Sequence, residues 1–191
     1  MARDGTATKQ TIETTALRLF VERGVAGTTT RNIAAAAKIA EGTIYRHFAG
    51  KDELAWQLFR TQYEALAEAV QALVEREAST AERITLLIET LCRRFDAEPY
   101  VFRYLLLTQH YFGARVDDAI NSPLAVLERF VVSAMRSGKM IRMPGRLAVG
   151  ILLGPALQAA TAVVYGTLTK PLAKHAAALA AATCRALEVA D

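Results

Sequence analysis

The chain has 191 residues, 52% of them hydrophobic and 22% charged, with a net charge of +4. That composition excludes disorder as the default state, and the length can bury one or two cores. All of the net charge lies at one end: residues 1–51 hold eight Lys or Arg against four acids, and residues 52–191 hold 15 of each sign. A basic end on a neutral body is the footprint of a phosphate-binding module.

The periodicity predicts helices throughout, with no β-alternation and no repeat. The first helix is expected from about Thr8 to Arg23, with Ile12, Ala16, Leu19 and Phe20 inward and Gly24 as its stop. A turn, GVAGTTT, leads to a second helix at about Thr30–Ala37. Lys38, Ile39 and Ala40 break it, and a third helix is expected at about Glu41–Phe48. Ala49-Gly50 ends that helix. A fourth is expected over about Lys51–Glu77, where Trp56, Phe59, Tyr63, Leu66, Val70 and Leu73 form a stripe about 25 Å long.

Ser79 and Glu82 form a capping-box pattern that opens the fifth helix, with Ile84, Leu87, Ile88, Leu91 and Phe95 inward. Pro99 opens a sixth, to about Phe112. Residues 114–121 read as a loop. Ser122-Pro123 starts a seventh helix, which Gly138 closes. Pro144-Gly145 begins the eighth. Pro171 ends it and lets a ninth run to about Val189.

Leu147 to Thr169 carries no charge and is long enough to span a bilayer. Gln158, Thr161, Pro155 and many small residues make it a poor span, and burial in a bundle or subunit interface is expected instead. Cys92 and Cys184 sit in helical patterns without metal-ligand spacing and read as reduced residues of a cytoplasmic protein. The first ten residues hold no apolar segment, so no signal peptide is expected.

The second and third helices carry the chemistry. Ile33, Ala34, Ala37, Ile44 and Phe48 form an apolar seam that turns the other side of the third helix outward. Such a pair reads as a helix-turn-helix. Gly42 permits close backbone approach. Thr43 offers a hydroxyl and a methyl, Tyr45 and His47 polar tips on rigid rings, and Arg46 a fork for guanine or phosphate. Thr30 and Arg31 open the second helix, whose amides favour phosphate. Lys51 is placed to clamp backbone from the side.

Ile33-Ala34, Gly42 to Phe48 and Lys51-Asp52-Glu53-Leu54 resemble the signature of the TetR family of bacterial transcriptional regulators, and Ala16, Leu19-Phe20 and Gly24 fit its first helix. The resemblance is specific over residues 8–54. Two positions depart from the motif. Lys38 stands where glycine is common, at a left-handed cost of roughly 1 kcal/mol. Ala40 stands where serine caps the recognition helix, losing about 1 kcal/mol. Lys38 is also a candidate phosphate contact.

The resemblance implies an all-α, nine-helix regulator of two domains: a helix-turn-helix domain at 1–50 and a ligand-binding and dimerisation bundle at 51–191. It implies a homodimer acting as a repressor on a double-stranded DNA operator and released by a small-molecule effector. The sequence offers its own reason for dimerisation. The eighth and ninth helices are rich in Gly and Ala (Gly150, Gly154, Ala159, Ala178), which lets backbones approach closely across a four-helix interface.

A pocket in the bundle should be mostly apolar, with Tyr63, Leu66, Leu91, Tyr104, Thr108, Phe130 and Gln158 as candidate effector contacts. Arg103 and His110 suit an anion or a solvated face. No metal, cofactor or catalytic group is expected, since His47, His110 and His175 fall in separate segments without a nucleophile–base pair. Control by a protein partner and an all-helical enzyme are the competing function classes.

Overall fold

The computed structural model describes residues 2–116 and 121–190; residues 117–120 of the expected loop and the side chains of Arg3 and His110 lie outside what is described. Among the described residues there are nine α-helices and no strand. They run α1 (Ala2–Arg23), α2 (Thr30–Ala37), α3 (Glu41–Tyr45), α4 (Lys51–Val74), α5 (Thr80–Ala97), α6 (Pro99–Phe112), α7 (Pro123–Arg136), α8 (Gly145–Val164) and α9 (Ala176–Ala186). Short 3₁₀ turns at Gly113–Arg115 and Leu172–His175 precede α7 and α9.

Several ends differ from the sequence reading. α3 stops at Tyr45, three residues short of Phe48, and Arg46 is its C-cap. α4 stops at Val74 rather than Glu77. The side chain of Arg83 caps that end, donating to Val74 O at 3.1 Å and to Ala78 O at 2.9 Å. α8 ends at Val164, well before Pro171, because Gly166 takes a left-handed φ of 72° just past the helix. The capping boxes at Ser79/Glu82 and the N-cap at Ser122 are in place.

The chain divides into two compact units. The first is Met1–Tyr63 with Tyr100–Ile120, and the second is Glu64–Pro99 with Asn121–Asp191. This packing division differs from the functional one drawn at residue 50, because α6 and the first half of α4 pack with the helix-turn-helix.

In the first unit Ile12, Ala16, Leu19 and Phe20 of α1 are buried, as are Ile33, Ile44 and Phe48. The buried line on α4 runs through Leu54, Ala55, Leu58 and Phe59, and in the second unit through Ala67, Val70 and Val74. The expected stripe is thus displaced by a residue in places: Trp56, Tyr63, Leu66 and Leu73 are only half-buried.

Tyr104 corrects a site assignment. It is fully buried, its ring stacks on Phe20 with centroids 6.1 Å apart, and its hydroxyl donates to Ala55 O at 2.6 Å. Thr108, also buried, donates to Tyr104 O at 2.6 Å. Both hydroxyl protons are thus used within the first unit, and Tyr104 packs in the core that carries the helix-turn-helix rather than lining an open pocket. Burial also pushes the Tyr104 hydroxyl well above the usual tyrosine pKa.

In the second unit α5 lies against α9, and α7 against α8. The buried line of α5 is Ile84, Leu87, Ile88, Cys92 and Phe95, with Cys92 in the place expected for Leu91. Asp96 reaches 76 residues along the chain, accepting from the backbone N–H of Leu172 and of Ala173 at 2.9 Å each. That pair of charge-assisted bonds anchors the turn that launches α9. α8 is, among the described residues, the one helix long and apolar enough to cross a membrane, and only a third of its most apolar stretch is buried within the chain.

Candidate nucleic-acid interface

The helix-turn-helix is held from both ends of its turns. Gly24 leaves α1 with φ 73°. A Cβ on Gly27 would sit 2.4 Å from Arg23 O, so only glycine lets the chain turn back there. Thr28 is fully buried and donates to Gly24 O at 2.9 Å. Lys51, from the first turn of α4, donates through Nζ to Val25 O at 2.9 Å and Ala26 O at 3.4 Å. Its ammonium therefore braces the α1–α2 turn, a role that sequence reasoning did not assign to it.

α2 is capped by Thr29, whose side chain accepts from Asn32 N while the Asn32 side chain accepts from Thr29 N. The spacing Thr-x-x-Asn was the legible signal for that box, with Asn in place of the usual Glu or Gln. Lys38 follows α2 in the left-handed region, at φ 57° and ψ 43°. Ala40 precedes α3 with no side-chain cap bond. Both departures expected from the motif are therefore real features of the backbone.

The short α3 buries Ile44 and leaves the other side open. Tyr45 is 55% exposed, Arg46 and Gly42 are exposed, and Thr43 and His47 are half-buried. A Cβ on Gly42 would meet nothing within 4 Å, so the surface there is open for a large partner. Arg46 Nη2 lies 3.5 Å from Thr43 Oγ1 as its donor, which leaves the threonine proton free to donate outward. Arg31 and Lys38 are exposed.

Thr30 is different. Its hydroxyl donates to Glu41 Oε1 at 2.6 Å and lies 3.3 Å from Tyr45 Oη. Glu41 was read only as the first residue of α3. Its functional neighbourhood was invisible in sequence because the bond to Thr30 spans eleven residues.

Residues 12–58 match the family model described as bacterial regulatory proteins, tetR family. These residues are a TetR-family domain. The HTH-type transcriptional repressor KstR2 of Mycobacterium tuberculosis is 38% identical to this chain over 69 residues, covering 36% of this chain and 34% of that repressor. The chain thus spans about a third of the length of the curated relatives it matches first.

Beyond the TetR-family domain, the likeness is one of fold. A TetR family transcription regulator from Marinobacter aquaeolei VT8 superposes with a TM-score of 0.82 at 20% identity, covering 98% of each chain. The transcriptional regulator FadR from Bacillus subtilis, solved in complex with stearoyl-CoA, superposes with a TM-score of 0.71 at 17% identity, covering 91% of this chain and 96% of that one.

The candidate effector residues are divided between the two units. Tyr63 lies in the first unit, stacked on Phe59 with centroids 5.0 Å apart. Leu66, Leu91, Phe130 and Gln158 lie in the second unit. Phe130 lines a cleft of about 360 Å³ with Ser79, Arg83, Ser133 and Lys139, which is more polar than the pocket expected from sequence. Gln158 is exposed on α8.

Proposed function

We propose that the chain is a homodimeric regulator that binds a pseudo-palindromic operator on double-stranded DNA, as a repressor, and is released by a small, mostly apolar effector. The observation that carries this reading is the outward face of α3: Gly42, Thr43, Tyr45 and Arg46 stand clear of the core on a helix-turn-helix that matches the TetR family. Thr30, Arg31, Lys38, His47 and Lys51 complete the proposed contact set. Residues 1–50 would read DNA and residues 51–191 would take the effector and the partner subunit. The reading assigns no catalytic activity, and a cytoplasmic location.

The dimer is supported by α8 and α9. Leu147 is 54% exposed, and Gly150, Gln158, Ala177, Ala178 and Ala181 are exposed with it. An apolar helix with Leu147 and Gly150 exposed, and only a third of its most apolar stretch buried within its own chain, calls for a cover, and a second copy of the same small-residue face supplies one. Gln158 fits that face better than a pocket.

For the effector, the FadR neighbour was solved with stearoyl-CoA, a ligand with a long apolar body. We extend that chemistry to this chain, with the half-buried Tyr63, Leu66 and Leu91 and the buried Phe130 as candidate contacts. α4 supplies residues to both units and begins at Lys51, directly after the recognition segment. A ligand that favours one placement of α4 would bias DNA binding through the difference in its affinity for the two states. A hundredfold change in DNA affinity needs coupling of about 2.7 kcal/mol.

Selection from random duplex DNA, followed by footprinting, tests the DNA reading. A two-fold symmetric protected site is expected, and failure to enrich any sequence would remove the proposal. Gel shifts with stearoyl-CoA and shorter acyl-CoAs test release, and no release by any hydrophobic compound in a broad screen would remove the effector part.

A further inference from the structure

The neutral net charge of residues 52–191 conceals a division. Residues 129–187 hold eight Lys or Arg and no acid, whereas residues 52–128 hold seven cations against 13 acids. All eight of those cations are exposed. Four of them, Arg136, Lys139, Arg142 and Arg146, fall within eleven residues around the turn from α7 to α8. A run of cations is often no more than a solvated face, so the shape of the surface beside it decides what it can hold.

That surface is concave. The cleft of about 360 Å³ lies wholly within the second unit, lined by Ser79, Thr80 and Arg83 around the start of α5 and by Phe130, Ser133 and Lys139 from α7 and the turn after it. A cleft of this size fits a small molecule. Arg83 is already fixed in it, with Nε donating to Ala78 O at 2.9 Å and Nη1 to Val74 O at 3.1 Å. A guanidinium has five N–H donors, so these two bonds set its plane and leave Nη2 with both of its protons. Among the described residues no carboxylate forms an ion pair with Arg83. The neighbouring acid, Glu82, is turned to the backbone N–H of Ser79, which it accepts at 2.8 Å.

Ser133 also lines a second hollow of about 510 Å³, together with Arg129 and Arg136. The one acid lining that hollow is Glu128, whose Oε2 lies 3.9 Å from Arg146 Nε. Guanidinium groups and hydroxyls are the donors that oxyanions take, and an arginine held in one plane binds them with little loss of freedom. We propose that the two hollows bind one small molecule carrying at least two oxyanion groups, phosphate or carboxylate, one seated on Arg83 and Lys139 and the other on Arg136. This ligand is distinct in chemistry from the apolar effector proposed above, and its site does not depend on the DNA-binding reading. Since Arg83 also caps the last turn of α4, the bound anion is tied to that helix end.

Calorimetric titration of the full chain with pyrophosphate and with citrate, at an ionic strength held constant with potassium chloride, tests the proposal. Saturable binding of one anion per chain is expected, about tenfold or more tighter than for inorganic phosphate or acetate, which carry a single such group. The preference between pyrophosphate and citrate tells phosphate from carboxylate. Lys139→Gln and Arg136→Gln should each weaken binding about tenfold, and Arg136→Gln, an exposed change, should do so with an unchanged thermal midpoint in anion-free buffer. Arg83→Met should abolish binding. If loss of its bonds to Val74 and Ala78 unfolds that variant, the two glutamine variants carry the test.

Arg142→Gln is the control. Arg142 is equally exposed in the same basic turn but lines neither hollow, so this variant should bind as the wild type does. If it weakens binding as much as Lys139→Gln, the anion answers to the diffuse field of the turn and the proposal is overturned. No saturable binding of either anion at about 10 mM overturns it as well. Binding of heparin without binding of either small anion would give the turn to an extended acidic partner, which also overturns it.

Discussion

Single side chains carry three effects that can be measured separately. Arg46 is exposed and makes one marginal contact within the protein, so Arg46→Ala should leave the unfolding midpoint unchanged while weakening operator binding by about 1–3 kcal/mol in gel shifts. Thr183 is fully buried on α9, and its hydroxyl is without a partner. Thr183→Val keeps the shape and removes that unsatisfied group, so it should stabilise the chain by about 1 kcal/mol in denaturant titration. Cys92 is fully buried, and burial, with Asp96 beside it, pushes its thiol pKa from 9.0 up to about 11. The folded state therefore holds the proton more tightly than the unfolded one. Its contribution is present below pH 9 and is lost as pH rises towards 11, so stability should fall over that window and the slope should lessen in Cys92→Ala.

At the level of elements, two cross-chain ties set the geometry. Asp96 accepts two backbone N–H bonds at the start of the turn before α9. Asp96→Ala should lower stability by about 2 kcal/mol, with an unchanged denaturant slope, since hydrogen bonds to a charged group are worth more than neutral ones. Tyr104 ties α6 to α4 and α1 inside the first unit. Tyr104→Ala empties a fully buried ring site and should cost about 3–5 kcal/mol. Its operator binding should fall together with its thermal midpoint. The sequence reading placed this residue in a pocket, where truncation would have spared DNA binding.

For the whole molecule, charge and symmetry decide behaviour. The excess of cations in residues 1–51 should make operator affinity fall steeply with salt, with a log–log slope steeper than about −3 if four or more phosphates are neutralised per dimer. Ala178 is exposed within one chain, and Ala159 is half-buried. In the proposed dimer, Ala178→Glu would bury an unpaired charge. Light scattering at micromolar concentration should then report a monomer, and operator affinity should drop with it, because two recognition helices about 34–36 Å apart no longer act together. A mutant that stays dimeric would move the interface away from α9.

What could be read from the chain alone was set by neighbours in sequence. The α1 face of Ile12, Ala16, Leu19 and Phe20, the bounds of α2 and α6, and the caps at Ser79 and Ser122 follow from periods and spacings of three or four residues. The strained turn at Lys38 and the uncapped start of α3 at Ala40 were legible only as departures from the family motif that the sequence resembles. The length of α3, the end of α4 under Arg83 and the grip of Lys51 on the α1–α2 turn were not, since each depends on a group from another element. So it was with Tyr104. A tyrosine in an apolar helix has the same local pattern whether it faces a ligand or a core, and only the approach of Ala55 and Phe20, 49 and 84 residues away in sequence, closed that site. The Thr30–Glu41 bond belongs to the same class, because it joins residues eleven apart on different elements.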